Sequence, residues 1–263
     1  MAARMPYFVW SHAGRAAGDA SVVMSPAASA SMPKYRSLDG FGQSLAQHGS
    51  SSASAYWQVD RGAGTLEAVD RLLIPSGHNL GAQTVTVKAS ATGAYAGEET
   101  TLASFTSAAG LIEQALTSST ERYLRVSFGG TGQWEYGEIW LGRTRTPSSA
   151  VVVDPAWKRP PLSNVTVQRF PTGVQGSVVN GPDQRTLGMT LRWVAGTDLT
   201  LFEDLATVCG AAKAPLWVGG PDDAAPTTLM WLSAISAWEQ DSEVPQATGP
   251  TYTVQLELVE ALG

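Results

Sequence analysis

Apolar and polar side chains alternate in short runs through much of this chain. In Arg122-Tyr123-Leu124-Arg125-Val126-Ser127-Phe128 the alternation sets Tyr123, Arg125 and Ser127 on one face and Leu124, Val126 and Phe128 on the other, and Val85-Thr86-Val87 repeats it. A period of two predicts strands buried on one face. The second half continues the pattern in Val165 to Phe170, in Leu187 to Trp193 with Leu187, Met189, Leu191 and Trp193 inward, and in Tyr252 to Leu258 with Tyr252, Val254, Leu256 and Leu258 inward. One stretch changes period: Leu199, Phe202, Leu205, Ala206, Val208 and Cys209 recur at helical spacing. There Thr200 and Glu203 match a capping box, and Gly210 with Pro215 supplies a stop, so an amphipathic helix of about three turns is expected. Extended runs resume at Pro215 to Gly220 and Leu229 to Leu232, around the turn Pro221-Asp222-Asp223.

The patterning divides the chain. Thr144 to Ala150 is polar and turn-rich, and Asp154-Pro155 and Pro160-Pro161 favour extended backbone. Residues 147–162 are therefore expected as a connector between a domain at 1–146 and another at 163–263. The fold class is mainly β, an N-terminal jelly-roll sandwich followed by a C-terminal β-sandwich with one packed α-helix. Ala27 to Ser54, rich in Ser, Ala and Gly, reads as long solvated loops over the first sandwich.

Composition narrows the class. The chain has 263 residues, 43% hydrophobic and 15% charged, with a net charge of -6. Residues 1–150 carry eleven Lys+Arg against eleven Asp+Glu, whereas 151–263 carry six against twelve, so the excess acidity is C-terminal. No basic stripe accompanies Arg143 and Arg145, which argues against a grip on nucleic-acid phosphates. No apolar stretch reaches the length of about twenty residues that spans a bilayer, and Met5 to Trp10 is too short for an export signal. The single Cys209 excludes an internal disulfide and a multi-cysteine zinc site, and reads as a small buried side chain.

Catalytic chemistry finds little footing. His12, His48 and His78 show no metal-binding spacing, and His78, after Pro75 and Gly77, reads as a corner tie. Gly62-Ala63-Gly64 lacks the third glycine of a dinucleotide fingerprint and reads as a hairpin turn. No G-x-S-x-G elbow occurs. The adjacent carboxylates Glu98-Glu99 and Asp222-Asp223 read as solvated turns rather than a facing acid and base. Asp60 and Glu138 offer oxygens to calcium without a calcium-loop motif. Neither metal, cofactor nor catalytic residue is expected. Trp134 and Tyr136, after the Gly-rich Gly129 to Gln133, are the candidate ligand-binding residues, for a sugar face or a partner side chain. The competing reading of Trp134 is a ring closing one end of the sandwich.

Ala55-Tyr56-Trp57-Gln58-Val59-Asp60, the corner Ile74-Pro75-Ser76-Gly77-His78-Asn79-Leu80, the Arg122 to Val126 strand and Tyr136 to Gly142 together resemble the galactose-binding-like, discoidin-type jelly roll over residues 20 to 145. That resemblance implies fold more than function. Arg185 to Trp193, Asp198 to Asp204, Lys213 to Val218 and Tyr252 to Glu260 resemble ring-forming domains of tailed-phage tail-tip and distal tail, or baseplate, proteins. This second resemblance implies a structural, non-enzymatic virion protein, localised in the tail and assembled in the host cytoplasm. Its implied partners are further copies in a ring, neighbouring tail proteins and a host-surface glycan, with Tyr252 to Glu260 as an open edge for self-association. In that family the sugar-fold module follows the ring domain, whereas here it precedes it. The alternative is a carbohydrate-binding module serving a polysaccharide hydrolase, and a third reading is an enzyme with a dispersed site.

Overall fold

The computed structural model describes residues 6–10, 13, 18, 21–38, 44–148, 151–152, 156–158, 165–169, 175–179, 186–210, 215–219, 228–240 and 251–260. The first half forms β1 (Tyr7–Trp10), β2 (Val22–Ser25), β3 (Ala46–Gln47), β4 (Ala55–Asp60), β5 (Val69–Ile74), β6 (Thr84–Ser90), β7 (Thr100–Thr106), β8 (Ile112–Ser119), β9 (Tyr123–Phe128), β10 (Glu135–Tyr136) and β11 (Trp140–Arg145). The second half adds β12 (Val151–Val152), β13 (Ala156–Lys158), β14 (Val165–Arg169), β15 (Gln175–Val179), β16 (Thr186–Ala195), α1 (Leu199–Cys209), β17 (Pro215–Gly219), β18 (Thr228–Gln240) and β19 (Thr251–Glu260). The protein is mainly β, with one packed helix among the described residues. Two compact units emerge, one spanning Val9–Arg145 and the other made of the chain up to Phe8 together with Thr146–Leu262.

The Val9–Arg145 unit is built on two larger antiparallel sheets, together with the short β3–β10 pair. One runs β2-β4-β9-β6-β7, and the other contains β11-β5-β8. Their inward residues make one core: Trp57, Val59, Val85, Val87, Leu124, Val126 and Phe128 pack with Leu72, Ile74, Ile112, Leu116 and Leu141. Each fully buried aliphatic or aromatic side chain of this kind stabilises by about 1.5–3 kcal/mol. The inward indole of Trp57 donates to Ser37 Oγ at 3.0 Å, and that hydroxyl donates in turn to Lys34 O at 2.7 Å. Ser37 is fully buried, so both polar groups are satisfied inside.

The described part of the Ala27 to Ser54 passage is largely loop, as its composition suggests, but more tightly tied than a solvated loop. Main-chain bonds tie it down, Gln47 N to Met32 O at 3.0 Å, Ser29 N to Gln47 O at 2.8 Å and Gly49 N to Ala27 O at 2.7 Å, while β3 pairs with β10. These bonds are invisible to side-chain periodicity. The Gly62 to Gly64 turn also differs from expectation, because it links β4 and β5, which lie in different sheets rather than in a hairpin. The corner after β5 matches its reading. Gly77 takes φ +102°, His78 Nε2 lies 2.8 Å from Gly110 O, and Asn79 clamps β10 through Glu135 N at 2.7 Å.

The other unit centres on the antiparallel order β12-β16-β19-β18-β17, with β13 also on β16 and β14 pairing β15. Residues 147–162, read as a connector, thus contain two short strands that pair with β16. Leu187, Met189 and Leu191 face inward as expected, but Trp193 does not. A bulge between Leu191 and Val194 places Val194 at the buried position and leaves Trp193 at φ +59° and 42% exposed. The expected open edge at Tyr252 to Glu260 is likewise corrected: β19 lies between β16 and β18, so its main-chain groups already have partners on both sides. Phe202, Leu205 and Cys209 are the buried stripe of α1, and Phe8 meets Phe202 edge-on at 6.2 Å. Thr200 does not cap. The N-cap is Asp198, whose carboxylate accepts Ser148 N and Oγ, each at 2.8 Å, rather than a helix N–H. Gly210 ends the helix in extended geometry. The Asp222-Asp223 turn lies outside the described residues.

Candidate functional site

Trp134 and Tyr136, the residues singled out for stacking on a ligand, are both inside the sandwich. Tyr136 is fully buried, its ring tilted against Phe128 at 5.2 Å and its hydroxyl 3.2 Å from His48 Nε2. Pro26 O, an acceptor only, lies 3.0 Å from His48 Nδ1, so the imidazole carries its proton there and accepts the Tyr136 O–H at Nε2. Burial lowers the pKa of His48 and raises that of Tyr136. Trp134 is 7% exposed and its ring lies against Gly132, where a Cβ would meet it at 2.5 Å. Trp134 belongs to the buried core cluster. Of the two oxygen donors considered for calcium, Asp60 is clamped by Arg122 through two bonds of 2.6 and 2.7 Å, which lower its pKa, and Glu138 is fully buried. Among the described residues no group of three or more His, Cys, Asp and Glu is placed to hold a metal. His12 lies outside the described residues.

The chemistry gathers instead on the outward face of the five-stranded sheet. Strand register aligns Ser25 with Tyr56, Tyr56 with Ser127, Ser127 with Thr86 and Thr86 with Ser104, so every strand of the sheet contributes one hydroxyl to a single rung. Adjacent positions on such a rung are about 4.5–5.5 Å apart. The next rung sets Val23, Gln58, Arg125 and Lys88 side by side. A depression of about 400 Å³ opens over the first rung, lined by Ser25, Ser54, Tyr56, Thr84, Thr86, Arg125 and Ser127, with Ala53, Ala55, Phe128 and Gly129. None of these carries a carboxylate, an imidazole or a thiol.

Arg125 is held with unusual firmness. Its guanidinium lies 4.1 Å from the centroid of the Tyr56 ring and 3.7 Å from that of Tyr95, and its Nε and Nη2 both donate to Gln58 Oε1, at 2.9 and 2.7 Å. A guanidinium suits contact with aromatic faces because it is planar and weakly hydrated. Tyr95 arrives from the β6–β7 loop at φ +52°, its hydroxyl buried with no hydrogen-bond partner among the described residues, and burial raises its pKa.

Glu98 organises that loop. Its oxygens accept from Ser90 Oγ and Thr92 Oγ1, both at 2.7 Å, from Tyr95 N at 3.0 Å and from Ala96 N at 2.8 Å. These donors hold its pKa far below the usual carboxylate range, the Ser90 hydroxyl foremost. Glu99 accepts Lys88 Nζ at 2.9 Å and Gly97 N at 2.8 Å. Both carboxylates are also structural acceptors, while Glu98 stays exposed to solvent as its turn-like setting suggested. The alternation of β9 did reveal that Arg125 and Ser127 share a face. The missing signal was register, which alone brings Tyr56, Gln58 and Thr86 beside them.

No protein-family model and no curated protein matches the chain. Solved structures that resemble it include carbohydrate-binding modules and GH29 enzymes, one of them a fucosidase. A chitosan-binding module from the chitosanase/glucanase of Paenibacillus sp. IK-5 is 17% identical, covering 49% of this chain and 98% of its own at a TM-score of 0.41. The CBM32-1 and CBM32-2 domains of Clostridium perfringens ZmpB, in complex with GalNAc, are 14% identical over 52% of this chain and 35% of theirs, at 0.43. A Streptococcus pneumoniae fucose binding module is 13% identical over 49% of this chain and 94% of its own, at 0.38.

Proposed function

We propose that this protein binds carbohydrate on the outward face of the five-stranded sheet and performs no covalent chemistry there. The observation that carries the reading is the hydroxyl rung over the depression. Sugar hydroxyls are donors and acceptors at once, and the Ser, Thr and Tyr hydroxyls that face them rotate to serve either role. A volume of about 400 Å³ lies within the range of small-molecule sites, about 300–1,000 Å³. Hydrolysis of a glycosidic bond requires two carboxyl groups flanking it, and the groove lining contains none. The alternative drawn from the sequence, a carbohydrate-binding module, is thereby preferred. No observation of the fold favours the tail-component expectation.

The test is glycan-array and calorimetric binding with the full chain beside Ser127→Trp, whose indole fills the groove from an outward position and leaves the core untouched. The expected result is retention of at least one glycan by the parent protein and a loss of affinity of about tenfold or more in the variant, equivalent to about 1.4 kcal/mol, with an unchanged melting temperature. A parent chain that retains no glycan, or a variant that binds as the parent does, removes the reading.

A further inference from the structure

We infer that the saccharide recognised by this groove is acidic, its carboxylate received by Arg125; the inference rests on the carbohydrate reading above and names the ligand class of the same site. The outward face pairs nearly all of its charges internally. Lys88 is matched to Glu99 at 2.9 Å, and Arg122 to Asp60 at 2.6 Å. Glu98 spends its oxygens on the hydroxyls and amides of its own loop. Arg125 is the exception: it lines the groove, forms no ion pair among the described residues, and takes only the neutral amide oxygen of Gln58.

Two features make this cation a receptor rather than a solvated charge. The rings of Tyr56 and Tyr95 both lie against the guanidinium and Gln58 bonds it, so little side-chain freedom remains to be lost on binding. Gln58 occupies Nε and Nη2 with a single oxygen, and Nη1 donates to no group among the described residues. Arg125 therefore presents unused N–H donors at a site flanked by Ser127 and Thr86, which suits a carboxylate on a hydroxylated ring. A neutral sugar would leave this held charge uncompensated. Charge-assisted bonds of this type are about twice as strong as neutral ones.

The experiment compares galacturonate, mannuronate and glucuronate oligosaccharides with their carboxyl-reduced, neutral counterparts, by calorimetry on the full chain at low and moderate salt. The expected result is that at least one uronate oligosaccharide binds about tenfold or more tighter than its reduced form, that the difference shrinks as salt rises, and that Arg125→Gln abolishes the difference. Arg125→Lys keeps the charge without the planar fork and retains only part of it. Equal binding of the acidic and reduced pairs, lost in Ser127→Trp, overturns the acidic preference while leaving carbohydrate binding in place. Binding of neither form by a chain that retains another glycan on the array overturns the acidic assignment alone, whereas retention of no glycan at all overturns both. Since the acidic and reduced pair is compared on the parent protein, the result does not depend on how any variant folds. A preference that persists in a folded Arg125→Gln also overturns the assignment.

Discussion

Ser37 shows how one small side chain sustains a core. Its buried hydroxyl accepts the Trp57 indole N–H and donates to Lys34 O, so Ser37→Ala leaves a buried N–H without a partner and a carbonyl short of one. Stranding a buried donor costs about 1–3 kcal/mol. Urea unfolding followed by tryptophan fluorescence should show a loss of that size, and an unchanged midpoint would mean that water replaces the hydroxyl. The sequence offered no hint of this pair, because a serine within a Ser-rich passage carries no periodic mark. The opposite holds at the corner after β5, which the Pro75-Ser76-Gly77-His78 order alone marked as a turn and where Gly77 takes φ +102°. Turn chemistry is local, whereas the Ser37 to Trp57 contact depends on a fold already made.

At the scale of elements, the β6–β7 loop depends on Glu98. Glu98→Ala removes the acceptor for two hydroxyls and for the Tyr95 and Ala96 amides, and should free Tyr95 from its place over Arg125. Hydrogen exchange at residues 95 and 96 should quicken by at least an order of magnitude, and affinity for the groove ligand should fall with it. Exchange as slow as in the parent would show that the loop holds its shape without the carboxylate. The strands and α1 were readable because their periods are local properties of the chain. The Trp193 bulge and the central place of β19 were not, since both are decided by partner strands distant in sequence. The groove was hidden for the same reason: the rung hydroxyls that line it, Ser25, Tyr56, Thr86 and Ser127, come from four different strands, and no spacing along the chain announces their alignment.

Across the whole molecule, stability should respond to pH in two stages. Burial lowers the pKa of His48 and of His78, so in each case the unfolded chain takes up a proton more readily than the folded one. Their neutral forms support the fold fully above the unfolded value of 6.5, and that support is lost as pH falls from there through the folded pKa. Asp60, Glu98 and Glu99 have lowered pKa values of the carboxylate kind, and their contribution disappears at lower pH still, below the ordinary carboxylate range. Denaturant midpoints measured at about pH 7.5, 5.5 and 3.5 should therefore decline at each step. A flat response between the first two, or a His48→Gln protein with an undiminished first step, would refute the assignment to the imidazoles.

The guanidinium of Arg145 rests 5.3 Å from the centre of the Trp10 ring, so the two ends of the Val9–Arg145 sandwich lie side by side. The remaining unit is written in two pieces of chain, one before and one after it. In the language of gene architecture, the sandwich is a cassette: a continuous reading segment whose entry and exit coincide. Such a segment can be exchanged for another of equally close ends without rewriting its host, so the surface of the sandwich and the sequence of its host unit can change on separate schedules.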